Sequence, residues 1–169
     1  QKKITTIISQ RKKEENRGKW GINFAMKEEE VDCGSKDFVA GCYFNGVIVS
    51  FENIGGVSFV SSFQKNIGEF TVSKYEKLRD NLLSKYKSVS QPSSSDWDLW
   101  SRRDFSLYMH DTLNHVFENI KNNKEPKYII LSVFSVKSNT NISVRYVNES
   151  YGRELVKEKI MKDEYMDDL

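Results

Sequence analysis

Residues 37–54 read DFVAGCYF-NG-VIVSFENI. Two runs rich in aromatic and β-branched residues flank Asn45-Gly46, and both of those residues tolerate the positive φ that a type I′ turn demands. The stretch therefore predicts a β-hairpin. Gly55-Gly56 follows as a second turn and VSFVSSF, residues 57–63, as a third strand. Upstream, Gly18 and Gly21 flank Trp20, and WGINFAM at 20–26 reads as a further strand. The first half is thus a meander, preceded over residues 1–18 by an N-terminal helix or arm with Ile4, Ile7 and Ile8 at helical spacing.

Downstream the hydrophobic period changes. Ser73-x-x-Glu76 has the form of a capping box, after which Tyr75, Leu78, Leu82 and Tyr86 recur at three- and four-residue steps. The Ser-rich run at 88–96 reads as a linker between two helices. Ser101-x-x-Asp104 then opens the second of them, with Phe105, Met109, Leu113, Val116, Phe117 and Ile120 as its apolar stripe and Pro126 beyond its end. KYIILSVFSV (127–136) and NISVRYV (141–147) have high β propensity, and a polar helix runs from Ser150 to the acidic end. Strands come in antiparallel runs rather than alternating singly with helices. The expectation is a single α+β domain over residues 1–169, an antiparallel sheet of about five strands packed against two or three helices.

Composition narrows the function classes. Twenty-six Lys and Arg against 24 Asp and Glu give 169 residues a net charge of +2, without the strongly basic balance of a typical nucleic-acid-binding domain. Lys74, Lys77, Arg79, Lys85, Arg102 and Arg103 beside Tyr86, Trp97 and Trp100 offer basic groups with stacking aromatics. Glu76, Asp80, Asp96, Asp98 and Asp104 interleave with them and repel phosphates, which leaves a cytoplasmic nucleic-acid-associated module as the lesser alternative. No apolar run approaches the roughly 18 residues of a membrane span.

Chemistry-bearing patterns are sparse. The two histidines, His110 and His115, are five apart and fall on different faces of the expected helix. Asp111 and His115 have the four-residue spacing of a helical ligand pair but no third partner, so no metal site and no cofactor are expected. A hydrolase using Asp111 and His115, or scattered carboxylates such as Glu52, Asp96, Asp98 and Asp104, is the enzymatic alternative. Glycine-rich NIGG matches no phosphate-binding loop. Cys33 and Cys42 leave two readings open: a disulfide closed by the intervening turn, or a small core residue with a free thiol nearby. Trp97, Trp100, Arg102 and Arg103 are the residues that helix grammar leaves unexplained, and residue types of this kind dominate binding hot spots.

The cadence of the second half, LLSKYKSVS at 82–90, then YIILSVFSV, a turn, ISVRYVN and a tail ending KDEYMDDL, resembles small exported bacterial proteins in which a helix ending in Lys-Tyr-Gly precedes a hairpin and a polar tail. Lys87 stands here where those proteins have glycine. The resemblance implies a secreted or periplasmic location, with Gln1 following a cleaved signal, and implies no catalytic residues. The expected function is therefore a non-enzymatic extracytoplasmic protein that binds a protein or small-ligand partner, an inhibitor or immunity-type protein being one example.

Overall fold

The computed structural model describes residues 2–34, 41–102, 112–136 and 139–167. In chain order these form α1 (Lys2–Lys13), β1 (Gly18–Lys19), β2 (Ile22–Asn23), a 3-10 turn (Glu28–Glu30), β3 (Gly41–Phe44), β4 (Val47–Ile54), β5 (Val57–Glu69), α2 (Val72–Lys85), β6 (Lys87–Ser90), α3 (Ser94–Ser101), β7 (Thr112–Glu118), β8 (Tyr128–Val136), β9 (Asn139–Val147) and α4 (Glu149–Asp167). The fold is α+β, as expected, but the main sheet has seven strands, in the order β3-β4-β5-β9-β8-β7-β6, with β1 and β2 forming a small hairpin apart.

Every neighbouring pair in the large sheet is antiparallel. Two meanders, β3–β4–β5 and β6–β7–β8–β9, are sewn together through the central β5–β9 pair. β5 and β6 consequently run in the same direction four places apart, so the chain between them has to cross a face of the sheet, as connections between like-directed strands do. α2 makes that crossing. Its stripe of Tyr75, Leu78 and Leu82, continued by Tyr86 just past its end, packs onto the core.

The turn chemistry is where the sequence places it. Asn45 and Gly46 both have positive φ (46° and 78°), as do Gly55 and Gly56 (59° and 89°), which gives both hairpins turns with a twist matched to their strands. Around Trp20 the outcome differs from the expected strand. Trp20 and Gly21 take φ of 55° and 83° and form the turn of the β1–β2 hairpin. Edge-on packing of the Trp20 ring against Tyr146 and Phe63, at 5.1 and 6.1 Å, holds this unusual backbone in place.

The larger corrections lie in the second half. α2 is capped by Thr71, whose hydroxyl accepts from the Lys74 N–H at 3.1 Å, not by Ser73. Residues 88–90, at the start of the stretch read as a linker, belong to the edge strand β6, and the short helix that follows, α3, begins after Ser93, which caps it. The expected long helix through Leu113, Val116 and Phe117 is overturned, because Thr112–Glu118 is strand β7. Leu113 and Phe117 join the core on one face, whereas Val116 joins a second cluster on the other. Val116, buried on the second face between His115 and Phe117, breaks the alternation that exposed Thr112 and Asn114 begin, and the resulting three- and four-residue spacings imitate a helix. Phe105 and Met109 lie outside the described residues.

The sheet is covered on both faces. One face carries the main core, with Phe24, Phe63, Phe117, Ile129, Leu131 and Ile142 buried beneath α2 and α3. On the other, Leu155 and Val156 of α4 pack against Val116, Tyr128, Ile130 and Val147. Gly152 lets α4 approach, since a Cβ there would lie 2.2 Å from the ring of Tyr128.

Candidate functional site

The crossing of α2 over the sheet brings three elements to one place. α2 supplies Tyr75 and Arg79, one turn apart. α3 supplies Trp97, and β7 supplies His115 from the sheet floor. Together with Gln91, Pro92 and Ser94 they line a pocket of about 220 Å³. Ser93 fixes the start of α3 by accepting from the Asp96 N–H at 3.1 Å, which sets Trp97 in the first helical turn. Trp97 stacks on Tyr75 with ring centroids 4.8 Å apart, and the Arg79 guanidinium carbon lies 5.9 Å from the centre of the Trp97 ring.

His115 sits stacked on Phe117 at 4.2 Å, and its Nε2 shares a 2.7 Å hydrogen bond with Ser88 Oγ on the neighbouring edge strand. Its Nδ1 is buried and has no hydrogen-bond partner among the described residues; the same holds for the hydroxyl of Tyr75. His115 is 3% exposed and Tyr75 1%. A buried polar group without a partner costs about 1–3 kcal/mol, and native proteins carry few of them. Both residues line this pocket; Arg11 and Arg145, which line the opening on the opposite face, carry buried nitrogens of the same kind.

Burial sets the protonation of both. It pushes His115 down to about 4, helped by the charge of Arg79, and pushes Tyr75 up to about 12, which Arg79 partly offsets. Near pH 7 the imidazole is therefore neutral and the phenol protonated. The Ser88–His115 contact has the outline of a nucleophile and its base. However, no group among the described residues orients the imidazole through Nδ1, and a base with an affinity this low is poorly matched to neutral pH. The arrangement is suited to presenting hydrogen bonds, not to moving protons.

Comparison of the chain with protein-family models, with curated proteins and with solved structures found no match.

The residues singled out from sequence are scattered by the fold. Trp97 lines the pocket. Trp100 is 2% exposed and packs edge-on to Phe70 in the core, so it has no surface to offer a partner. Arg102 lies at the end of α3 in an exposed ion pair with Asp98, 2.8 Å apart. Arg103, Asp104, His110 and Asp111 lie outside the described residues. The Asp111/His115 ligand spacing loses its helical basis, since His115 is on a strand. Glu52 is engaged in an ion pair with Arg11. Among the described residues no group of three His, Cys, Asp or Glu side chains is placed to hold a metal ion. Cys33 and Cys42 are joined as a disulfide, with Cα atoms 5.5 Å apart and Cys42 in the core. No helix among the described residues is long and apolar enough to cross a membrane.

The sequence places Tyr75 on the buried stripe of α2 and Arg79 off it, but nothing in it brings His115 or Ser88 to them. Only the relative order of β6 and β7 at the sheet edge does that.

A larger opening, about 430 Å³, lies on the opposite face between α1 and α4. Arg145 Nε on its lining and Glu14 Oε2 beside it are buried without a hydrogen-bond partner among the described residues, while other polar groups there answer one another. Arg11, 2% exposed, donates to the carbonyls of Phe24 and Val60 and pairs with Glu52. Nearby, Glu14 accepts from the Glu149 N–H at 2.7 Å, and Gln10 donates to the Glu149 carboxylate at 2.8 Å, tying α1 to the start of α4. Burial raises Glu14 to about 7, above what the Glu149 N–H and Arg11 can offset. This junction has the character of a clasp between helices.

Proposed function

We propose that the protein is a non-enzymatic binding protein of an extracytoplasmic compartment, and that its binding site is the pocket formed by Tyr75, Arg79, Trp97 and His115. The observation that carries the reading is the meeting in one pocket of the stacked Tyr75 and Trp97 rings, the Arg79 guanidinium and His115, with buried polar atoms of Tyr75 and His115 that have no hydrogen-bond partner among the described residues. Polar groups converging beside aromatic walls, here Arg79, Gln91 and Ser94 beside Trp97 and Tyr75, are what fixes the orientation of a small ligand. The pocket is below the usual range of about 300–1,000 Å³ for drug-sized ligands, which favours a compact ligand over a large one. The Cys33–Cys42 bridge supports the extracytoplasmic part, because disulfides persist in oxidising compartments.

The test is a titration followed by proton–nitrogen NMR. Benzoate, benzamide, phenol and imidazole are each added up to about 1 mM, a concentration that matches a binding free energy near −4 kcal/mol. The expected result is a saturable shift of the Trp97 indole N–H, identified by its loss in Trp97→Phe. If none of the four probes moves that resonance, the binding reading is wrong.

A further inference from the structure

We propose that α1 is a releasable strap, latched to the rest of the fold through Glu14 and Glu149, and that loss of the Glu14 proton lets it go. The proposal is independent of the pocket under α2.

The seating of α1 points first. Most helices are held by an apolar face packed on the core, and without that packing a helix of about 12–15 residues is marginal in water. α1 has 12 residues and no such face. Of residues 3–14 only Arg11 and Glu14 are buried, and among the described residues no member of the helix joins either apolar cluster of the core. Ile4 and Ile8 are exposed. Ile7 and Arg11 form one wall of the 430 Å³ opening beside α4. Ile8 and Lys12, with Glu15 beyond the helix, form one wall of a second hollow of about 340 Å³ against Met26 and Phe59. The helix is thus anchored through two ionisable side chains and borders two hollows, and lifting it removes a wall from both.

The two anchors differ in chemistry. Arg11 keeps its charge at neutral pH and is engaged by the Phe24 and Val60 carbonyls and Glu52. Glu14, just past the end of α1, is the anchor that can change. One of its carboxyl oxygens accepts from the Glu149 N–H at the start of α4, 2.7 Å away, and the other is buried without a hydrogen-bond partner among the described residues. The charged groups that face it are Arg11 and Arg17 on its own segment and the Glu149 carboxylate on α4. Glu149 is itself held by Gln10 at 2.8 Å, Lys127 at 3.4 Å and Arg153 at 2.5 Å. Burial outweighs the Glu149 N–H and the two arginines, and the Glu149 carboxylate adds to it. Docked Glu14 therefore holds its proton up to about pH 7, against 4.5 for an ordinary glutamate.

The sign of the coupling follows. Undocking returns Glu14 to water, where it ionises near 4.5, so lifting the helix releases a proton between pH 4.5 and about 7. The undocking equilibrium constant rises about tenfold per pH unit across that window and then levels. The strap is held in acid and loosened at neutrality.

Native-state hydrogen exchange of the full chain, with each rate divided by that of an unstructured peptide at the same pH, reports the opening of α1 through the amides of residues 8–14. These amides are expected to open more readily than those of β5 and β9 at every pH. Their protection should fall about tenfold per unit from pH 4.5 to about 7, with no further loss above. Glu14→Gln keeps an acceptor for the Glu149 N–H but cannot ionise, and should hold α1 at its acid level of protection throughout. Glu149→Gln removes the facing carboxylate and should move the levelling point to lower pH, a shift that a residue serving packing alone would not produce. Protection of α1 that is constant with pH in the parent, or that still falls in Glu14→Gln, overturns the role given to Glu14. Loss of protection in α1 only in step with β5 and β9 shows that the helix leaves with the whole fold, and overturns the strap.

Discussion

Arg11 and His115 lie beneath opposite faces of the sheet and are almost equally buried, 2% and 3% exposed. Arg11 is engaged by two backbone carbonyls and Glu52, whereas His115 spends one nitrogen on Ser88 and leaves the other without a hydrogen-bond partner among the described residues. The same contrast separates their neighbours. Under α1 and α4, Gln10, Glu14 and Glu149 bond across the helix junction, with only Glu14 Oε2 left over; under α2 and α3, the Tyr75 hydroxyl has no hydrogen-bond partner among the described residues. Both faces keep some buried polarity in reserve, Arg145 Nε and Glu14 Oε2 on the first and His115 Nδ1 and Tyr75 Oη on the second, but only the α1–α4 side also uses it to hold helices together. Reserve of this kind costs stability, and such costs gather where proteins bind or react.

Removing a member from each face should therefore have unequal effects. Arg11→Ala orphans the carbonyls of Phe24 and Val60, at about 1–3 kcal/mol each, and leaves a void. A loss of about 4 kcal/mol is expected from urea unfolding.

Acidity offers a second contrast, in which the two faces have opposite signs. Glu14 is raised from 4.5 to about 7, so the folded state holds a proton that the unfolded chain releases; its contribution is full below pH 4.5 and is lost as pH rises to about 7. His115 is lowered from 6.5 to about 4, so its contribution is full above pH 6.5 and is lost as pH falls to about 4. Each amounts to at most about 3 kcal/mol, and the two oppose each other between pH 4.5 and 6.5. Relative to the parent, Glu14→Gln should make unfolding free energy rise more steeply with pH in that window, and His115→Asn should make it fall. Stability curves at several pH values would show the two slopes diverging.

On the α4 side alone, Gly152→Ala drives a methyl group into the Tyr128 ring. A loss of about 2 kcal/mol is expected, measured by thermal or urea unfolding, with the Trp97 pocket unaffected.

How much of this was legible from sequence varies with the element. Asn45-Gly46 and Gly55-Gly56 announce their hairpins because a positive-φ turn restricts residue choice locally. The α2 stripe is legible because one face of that helix is buried. β7 is not, since Leu113, His115 and Phe117 look into one core while Val116 looks into another, and burial on both faces erases the period of two. Nor is β6, four residues long and half serine, distinguishable from a linker by composition. The site inherits that limit. Trp97 stood out as an aromatic beside arginines, but its partners Tyr75, Arg79 and His115 come together through the crossover of α2 and the edge position of β6, which are properties of the tertiary topology.

Tyr75→Phe tests the central claim most directly, because it removes one of the unanswered atoms and nothing else. Stability by urea unfolding and benzoate affinity by calorimetry should move apart: stability unchanged or higher by up to about 1 kcal/mol, since no bond is lost and a buried hydroxyl is relieved, and affinity lower by about tenfold. A variant that is destabilised while binding benzoate as tightly as the parent would show that the hydroxyl serves the fold and not a ligand, and would contradict the account.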